Sequence, residues 1–170
     1  MICCVTGHRP KGFPFVRSED SLEYCTYLKK MTETVDELIC EGYQAFISGM
    51  ADGADMDFAK TVIRIRDARG GITLEGALPY SQSRPQKNFE QRTEKEEIVN
   101  LCDCKTIVSD HYYRGCMHKR NRYMVDKADI VLAVWNGVCS GGTWETIKYA
   151  RKKGKFIRYI MLNEISPSQS

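Results

Sequence analysis

Several features that define whole classes of proteins are missing from this sequence. No apolar run approaches the ~20 residues that a helix needs to span a bilayer, which excludes a helical membrane protein. The amino terminus carries no basic leader, so it lacks the pattern of a secretory signal, and we expect a cytoplasmic protein without a membrane partner. The net charge of +3, from 25 basic and 22 acidic residues, is too small to indicate a nucleic-acid partner by itself.

Cysteine and histidine are present, but without the spacing of a metal site. None of the eight cysteines forms a C-x-x-C pair, and the three histidines (His8, His111 and His118) show no ligand spacing. We therefore expect no bound metal. Because most cysteines fall at apolar positions of predicted strands and helices, we expect reduced thiols in the core rather than disulfides.

Six apolar runs with the character of strands alternate with five helical patterns along the 170 residues. The strands are predicted at residues 2–5, 44–48, 72–78, 104–108, 129–135 and 155–160. This alternation predicts an α/β fold in which right-handed crossovers build a mainly parallel sheet of about six strands, with helices on both faces. Because the sequence has no repeat or linker, we expect one domain over residues 1–163 and a flexible tail over residues 164–170.

The stretch after the fifth predicted strand, residues 140–146, has the character of a phosphate-binding turn. Gly141 and Gly142 let the backbone approach a ligand without a Cβ, and Thr143 adds a hydroxyl donor. The helix predicted from Thr146 presents unpaired N–H groups and the positive end of its dipole. Such a turn favours a phosphate or a carboxylate, although an ordinary turn with a threonine cap has the same residues.

Two earlier turns have the same arrangement of a strand followed by glycine and polar side chains. Residues 6–12 follow the first strand, and residues 48–55 follow the second. Because the C-terminal ends of parallel strands share one edge of a sheet, we expect the three turns to meet there and to bind a phosphate-bearing small ligand, a nucleotide. The predicted ligand-binding residues are Thr6, Gly7, His8, Arg9, Ser48, Gly49, Met50, Gly53, Asp55, Tyr80, Arg84, Arg120, Asn121, Gly141, Gly142 and Thr143.

Several of these residues keep a second interpretation. Asp55 either caps the second helix and complements its dipole, or accepts hydrogen bonds from a ribose or a neighbouring loop. Tyr80, at the exit of the third strand, either stacks on a base or covers the edge of the sheet. Arg84 falls in the first turn of the next predicted helix, where its charge would meet an anion. Arg120 and Asn121 either face the crevice from the helix before the fifth strand or lie exposed.

Four motifs together resemble the SLOG superfamily and, within it, the YpsA-like group of bacterial proteins. They are VTGHRP at residues 5–10, SGMADGAD at 48–55, the RN and MVD pieces of 120–126, and GGT leading to YA at 141–150. The resemblance covers nearly the whole chain. It implies a Rossmann-like three-layer sandwich whose glycine motifs surround a ligand such as an ADP-ribose or NAD derivative. It also implies that the ligand is sensed rather than turned over, with no cofactor required.

Two relatives in that superfamily supply alternative functions. The LONELY GUY phosphoribohydrolases, with the signature P-G-G-x-G-T-x-x-E, cleave a base from a nucleoside monophosphate with the glutamate of that signature. This sequence departs from the signature, because Glu145 stands two residues after Thr143 instead of three. The reaction would still need a carboxylate beside the glycosidic bond, and the candidates for it are Glu145 and Asp55. The DNA-processing protein A family, which binds single-stranded DNA, is similar over residues 48–55, but no long basic groove is evident in this sequence.

The sequence therefore supports three hypotheses, in which binding of a nucleotide, with a sensing role, comes first. Hydrolysis of a nucleotide N-glycosidic bond is the second. Binding of single-stranded nucleic acid is the third and the least favoured. We also expect a homodimer, because helices at the ends of such sheets often pair between subunits.

Overall fold

A parallel sheet of six strands forms the centre of the molecule. The computed structural model describes residues 1–81 and 89–165. Its strands and helices are β1 (Ile2–Gly7), α1 (Leu22–Cys40), β2 (Ala45–Ser48), α2 (Ala54–Arg69), β3 (Thr73–Leu78), α3 (Phe89–Asn100), β4 (Cys104–Ile107), α4 (Cys116–Lys127), β5 (Ile130–Trp135), α5 (Gly141–Lys152) and β6 (Phe156–Met161). Two short 3₁₀ turns cover Pro10–Gly12 and Leu162–Glu164.

The strands lie in the order β4-β3-β2-β1-β5-β6, and every neighbouring pair is parallel. The predicted parallel sheet of about six strands is confirmed. The chain builds outward from β1 through β2 and β3 to β4, and then crosses back to add β5 on the other side of β1. This reversal opens a crevice at the C-terminal ends of β1 and β5, which is where open parallel sheets bind ligands.

Helices cover both faces of the sheet, as predicted, because side chains along each buried strand alternate between two apolar clusters. In β5, Leu132 and Val134 pack in the larger cluster with α1 and α2, whereas Val131 packs in the smaller one with α4 and α5. Ile98 and Val99 of α3 pack against the larger cluster. The switch between faces therefore occurs at the β4–α4 crossover, the connection that also creates the crevice.

The expected core thiols are only partly found. All eight cysteines are free, and Cys3, Cys4 and Cys116 are buried. The expectation is wrong for four others, which are exposed: Cys25, Cys40, Cys104 and Cys139. The first two lie on the solvent side of α1 and the third in the edge strand β4, so an apolar residue type did not indicate burial there.

Two boundaries differ from the sequence prediction. Helix α5 begins at Gly141 rather than at Thr146, so the two glycines form its first turn instead of a loop before it. At the C-terminus, Leu162 is buried and Ile165 packs against the larger cluster, beyond the predicted end of the domain at residue 163. Residues 166–170 of the predicted tail lie outside the described residues.

Helix α4 is tied to the sheet by a polar cluster around Glu75 of β3. The carboxylate accepts hydrogen bonds from Lys127 Nζ at 2.6 Å, from the Tyr123 hydroxyl at 2.6 Å and from Thr106 Oγ1 at 2.8 Å. Burial raises the pKa of Glu75, but the hydrogen bonds together outweigh it, and the pKa lies below its ordinary value of 4.5. The cluster fixes the helix that carries Arg120 and Asn121 over the sheet.

Glu75→Gln should lower the free energy of unfolding by about 1–2 kcal/mol at neutral pH, because the amide cannot pair with the Lys127 ammonium as a carboxylate does. The folded-state pKa is lowered, so this stabilisation is present above the unfolded value and is lost as the pH falls through the folded value. Urea unfolding of the two proteins at several pH values should therefore show a difference that shrinks below pH 4.5. A difference that stays constant down to about pH 3 would contradict this role.

Candidate functional site

A cavity of about 320 Å³ lies at the C-terminal ends of β1 and β5, in the crevice created by the crossover. Most of the predicted ligand-binding residues line it: Thr6, Gly7, His8, Arg9, Asp55, Arg120, Asn121, Gly142 and Thr143. The three turns therefore meet at one edge of the sheet, as the sequence analysis expected. That these residues bind a ligand stays a prediction.

The other predicted residues fall into three groups. Ser48, Gly49, Met50 and Gly53 are buried behind the wall of the cavity, while Gly141 is exposed beside it. Tyr80 is buried away from the cavity, and its ring meets that of Tyr112 edge to face, with centroids 5.5 Å apart. Its position fits a residue that covers the sheet edge. Arg84 lies outside the described residues.

Two glycines of the second turn make room for the protein itself. A Cβ on Gly49 would lie 2.1 Å from Arg120 Nη1, so a side chain there would displace the guanidinium. Gly53 has a φ of +99°, and a Cβ on it would lie 2.4 Å from the carbonyl oxygen of His8. The amide of Ala54 donates to that same oxygen at 3.1 Å. These glycines let the β2–α2 turn close onto the β1 turn and onto α4.

Asp55 and Arg120 form a buried pair that joins α2 to α4. Arg120 is 4% exposed, and its Nη1 lies 4.0 Å from Asp55 Oδ2. The guanidinium also donates to the carbonyl of Gly49 and, through Nε, to Asn121 Oδ1 at 2.8 Å. Burial raises the pKa of Asp55, and the Arg120 charge opposes that change. Burial also lowers the pKa of Arg120, and the Asp55 charge opposes that change. Because a buried charge is costly alone, each group requires the other.

Asp55 does not cap its helix. The N-cap position of α2 is Gly53, and Asp55 Oδ2 instead accepts a hydrogen bond from the Ala51 amide at 3.4 Å. Its backbone carbonyl accepts from Ser48 Oγ at 2.8 Å. Of the two sequence interpretations, hydrogen bonding to a neighbouring loop is the one found, and the β2–α2 turn is held in shape by it.

His8 lines the cavity and carries a buried polar atom. Within the described residues, its Nε2 has no hydrogen-bond partner. Burial lowers the pKa of His8 below its ordinary value of 6.5, and an interaction with the Asn136 side chain only partly opposes it. The neutral ring is thereby favoured, and its Nε2 is either a donor or an acceptor.

The first turn of α5 offers backbone donors to the same cavity. Its N-cap residue, Ser140, makes no capping hydrogen bond through its side chain. The first amides of a helix have no partner within the helix, and the positive end of the dipole adds to their attraction for an anion. Asn121 holds this turn against α4, since its Nδ2 donates to Thr146 Oγ1 at 2.9 Å and Thr146 donates to the Gly142 carbonyl at 2.8 Å.

Lys95 is a charged residue near the cavity that sequence reasoning missed. Burial lowers its pKa, Asp52 opposes this, and the cations Arg120 and Arg9 lower it further. The Arg9 guanidinium is exposed and makes no hydrogen bond or ion pair with the residues that the structure describes. Three cations thus surround the region of Asp55. Lys95 gave no sequence signal because α3 is charged nearly all round. Only the packing of that helix brings its lysine close to Asp55.

The two candidate catalytic carboxylates are separated. Asp55 lines the cavity, whereas Glu145 lines a neighbouring groove between α4 and α5. The Glu145 side chain is half exposed and pairs with Lys148 at 2.7 Å on the same helix. The structure therefore does not bring these two carboxylates into one cavity.

A family model named YpsA, which stands for the YspA SLOG family, matches residues 3–165 of this chain. The chain is a member of the YspA SLOG family. The resemblance found in the glycine motifs is thereby confirmed. Two individual proteins are also similar to this chain, each with about a quarter of the aligned residues identical. A UPF0398 protein of Halalkalibacterium halodurans is 25% identical over 131 residues, which cover 75% of this chain and 69% of that protein. The SPbeta prophage-derived protein YoqJ of Bacillus subtilis is 26% identical over 136 residues, which cover 72% and 79%.

A solved structure shows that the fold of this SLOG protein is shared more widely. DNA processing protein A from Streptococcus pneumoniae superposes with a TM-score of 0.58 at 12% sequence identity, over 92% of this chain. The chain spans about half of that structure, 49% of its length. At this identity the likeness shows the fold alone, and it confirms the predicted Rossmann-like architecture. Among the residues described, no helix has the length and apolar character that crossing a membrane requires.

Arg120→Met should lower the free energy of unfolding by about 3–5 kcal/mol, because it leaves Asp55 buried without its counter-charge. Asp55→Asn alone should cost less, and the double variant should recover part of the loss. Chemical denaturation of all four proteins then gives a double-mutant cycle, with a coupling of about 1 kcal/mol or more. If the two single effects simply add, the pair does not join α2 to α4 as described.

His8→Gln should make the fold less sensitive to mild acid. The folded-state pKa of His8 is lowered, so the unfolded chain binds more protons once the pH falls below 6.5, and the wild-type protein loses stability there. Thermal melts between about pH 7 and pH 5 should show a smaller decline for the variant. His111→Gln, at an exposed histidine, is the matched control. Equal declines for wild type and His8→Gln would contradict the burial argument.

Proposed function

We propose that this SLOG protein binds a nucleotide or a nucleotide-derived ligand, such as an ADP-ribose or NAD derivative, in the β1–β5 cavity. The observation that carries the proposal is the meeting, in one cavity at the switch point of the sheet, of an uncapped helix N-terminus with arginine side chains. Backbone N–H groups at a helix start and guanidinium groups are both recurrent partners of phosphate. A carboxylate suits both partners as well, and the SLOG resemblance favours the phosphate.

Each part of the cavity has a role in this proposal. The amides of Gly142 and Thr143 hold a phosphate, and Arg9, which has no carboxylate partner among the described residues, neutralises its charge. Arg120 is already engaged by Asp55 and by backbone carbonyls, so it shapes the wall rather than moving to the ligand. His8 lines the same cavity, beside the sugar or base of such a ligand. The cavity volume of about 320 Å³ is within the range of small-molecule sites.

We propose sensing rather than turnover as the role of the site. Glycosidic hydrolysis requires a carboxyl group beside the scissile bond. Asp55, the carboxylate of the cavity, is committed to Arg120 and to the Ala51 amide, and Glu145 lies in the neighbouring groove. No cofactor is needed for binding alone. We place the protein in the cytoplasm, where nucleotides are found, and a homodimer stays a prediction.

Gly142→Asp tests the phosphate site. A Cβ on Gly142 meets nothing within 4 Å, so the variant should fold, and the new carboxylate should repel a phosphate from the first turn of α5. Gly142→Asn is the matched control, because it has the same size without the charge. The measurement is a thermal-shift screen against AMP, ADP, ATP, ADP-ribose, NAD and cyclic nucleotides, with the ligands analysed by chromatography afterwards.

A ligand present at ~100 times its dissociation constant should add about 2.7 kcal/mol of stability to the wild-type protein. Gly142→Asp should abolish that shift, while Gly142→Asn keeps most of it. The proposal is wrong if no nucleotide stabilises the wild-type protein, or if both variants bind as it does. Release of a free base during the screen would replace sensing by hydrolysis.

A further inference from the structure

We propose, on the basis of the function just proposed, that the ligand is a dinucleotide whose second phosphate binds in the groove between α4 and α5. The first phosphate would then lie at the N-terminus of α5, and the second near Arg122 and Lys152. The ligand class is thereby narrowed, from ADP-ribose or NAD derivatives, whose two phosphates are adjacent, to a molecule with two phosphates separated by a nucleoside.

The groove adjoins the β1–β5 cavity. It has a volume of about 360 Å³ and lies between the facing sides of α4 and α5. His118 and Asn121 line both spaces, so the two spaces meet at these side chains and one ligand that spans both would pass across them. Asn121 is held by Arg120 Nε and by Thr146 Oγ1, which fixes its side chain at the junction of the two spaces. One extended ligand can therefore reach from one space to the other.

The charges of the groove favour an anion. Three basic side chains line it, and one of them, Lys148, is already paired with Glu145 at 2.7 Å. The other two, Arg122 and Lys152, form no ion pair within residues 1–81 and 94–165. Two cations without a counter-charge, on facing helices, make a suitable site for one phosphate group.

Arg122 packs against an aromatic ring and not against a carboxylate of the described residues. Its guanidinium carbon lies 5.3 Å from the centre of the Tyr149 ring, a cation–π contact. The Tyr149 hydroxyl in turn donates to the carboxylate of Asp126 at 2.9 Å, which fixes the ring between the two helices. A guanidinium held in this way loses less side-chain entropy when a phosphate binds.

The aromatic residues near the groove favour a short ligand over a nucleic-acid strand. Proteins that bind single strands stack successive bases on free aromatic faces. Here the Tyr149 ring is in contact with Arg122 and, at 5.2 Å, with Lys153. Trp135 and Trp144 stack on each other with centroids 5.4 Å apart, and Arg151 lies 5.3 Å from the Trp144 ring. The rings are already used by the protein.

The test compares AMP with a 5′-phosphorylated diadenylate, which carries a second phosphate, by titration calorimetry. The wild-type protein should bind the diadenylate about tenfold or more tightly than AMP, as charge-assisted hydrogen bonds to a second phosphate imply. Arg122→Gln/Lys152→Gln should remove that advantage and leave AMP binding unchanged. Lys29→Gln/Lys30→Gln, with the same charge change on exposed positions of α1 on the other face, is the matched control.

The outcomes separate the two proposals. If AMP binds but the diadenylate binds no more tightly, or if the Arg122/Lys152 variant keeps the advantage, the second subsite is wrong and the nucleotide site stands. If neither compound nor any other nucleotide binds the wild-type protein, the proposed function itself is wrong. If a twelve-residue oligonucleotide binds far more tightly than the diadenylate, with a steep loss on addition of salt, the ligand is nucleic acid and the dinucleotide class is overturned.

Discussion

The buried ion pair between Asp55 and Arg120 is the interaction on which the rest of the site depends. It connects the β2–α2 turn on one side of the sheet to α4 on the other, where the crossover brings both to the crevice. Neither charge is stable in that position without its partner. The pair closes the wall of the cavity and keeps Arg120 from moving to a ligand, so the free positive charge of the cavity comes from Arg9 and from the helix N-terminus.

That constraint gives the two glycines of the second turn, Gly49 and Gly53, a meaning different from the usual one. They are not there for a ligand phosphate, since the space beside Gly49 holds the Arg120 guanidinium and the space beside Gly53 holds the His8 carbonyl. In the third turn the opposite is true. A Cβ on Gly142 would meet only open space, which is the geometry expected where a ligand approaches the backbone. The same sequence pattern therefore packs against the protein itself in the second turn and leaves open space beside the backbone in the third.

The charge distribution also separates binding from catalysis. Cations surround the cavity and continue into the α4–α5 groove, whereas the two carboxylates considered for catalysis are each paired with a basic residue, in different spaces. A site rich in positive charge and poor in free carboxylate favours holding an anion over cleaving it.

The sequence by itself determined the six parallel strands, the helices on both faces, and the meeting of three turns at one edge. It could do so because the apolar periodicity and the crossover rule are local or topological. Only the tertiary structure decided which side chains reach the cavity. Lys95 lies near the cavity because of how α3, a helix without a clear apolar face, packs. Glu145 lies on α5 and outside the cavity, because that helix begins five residues earlier than the pattern indicated. The direction of a side chain on a helix depends on where that helix starts and on what it packs against. The local sequence around the residue determines neither.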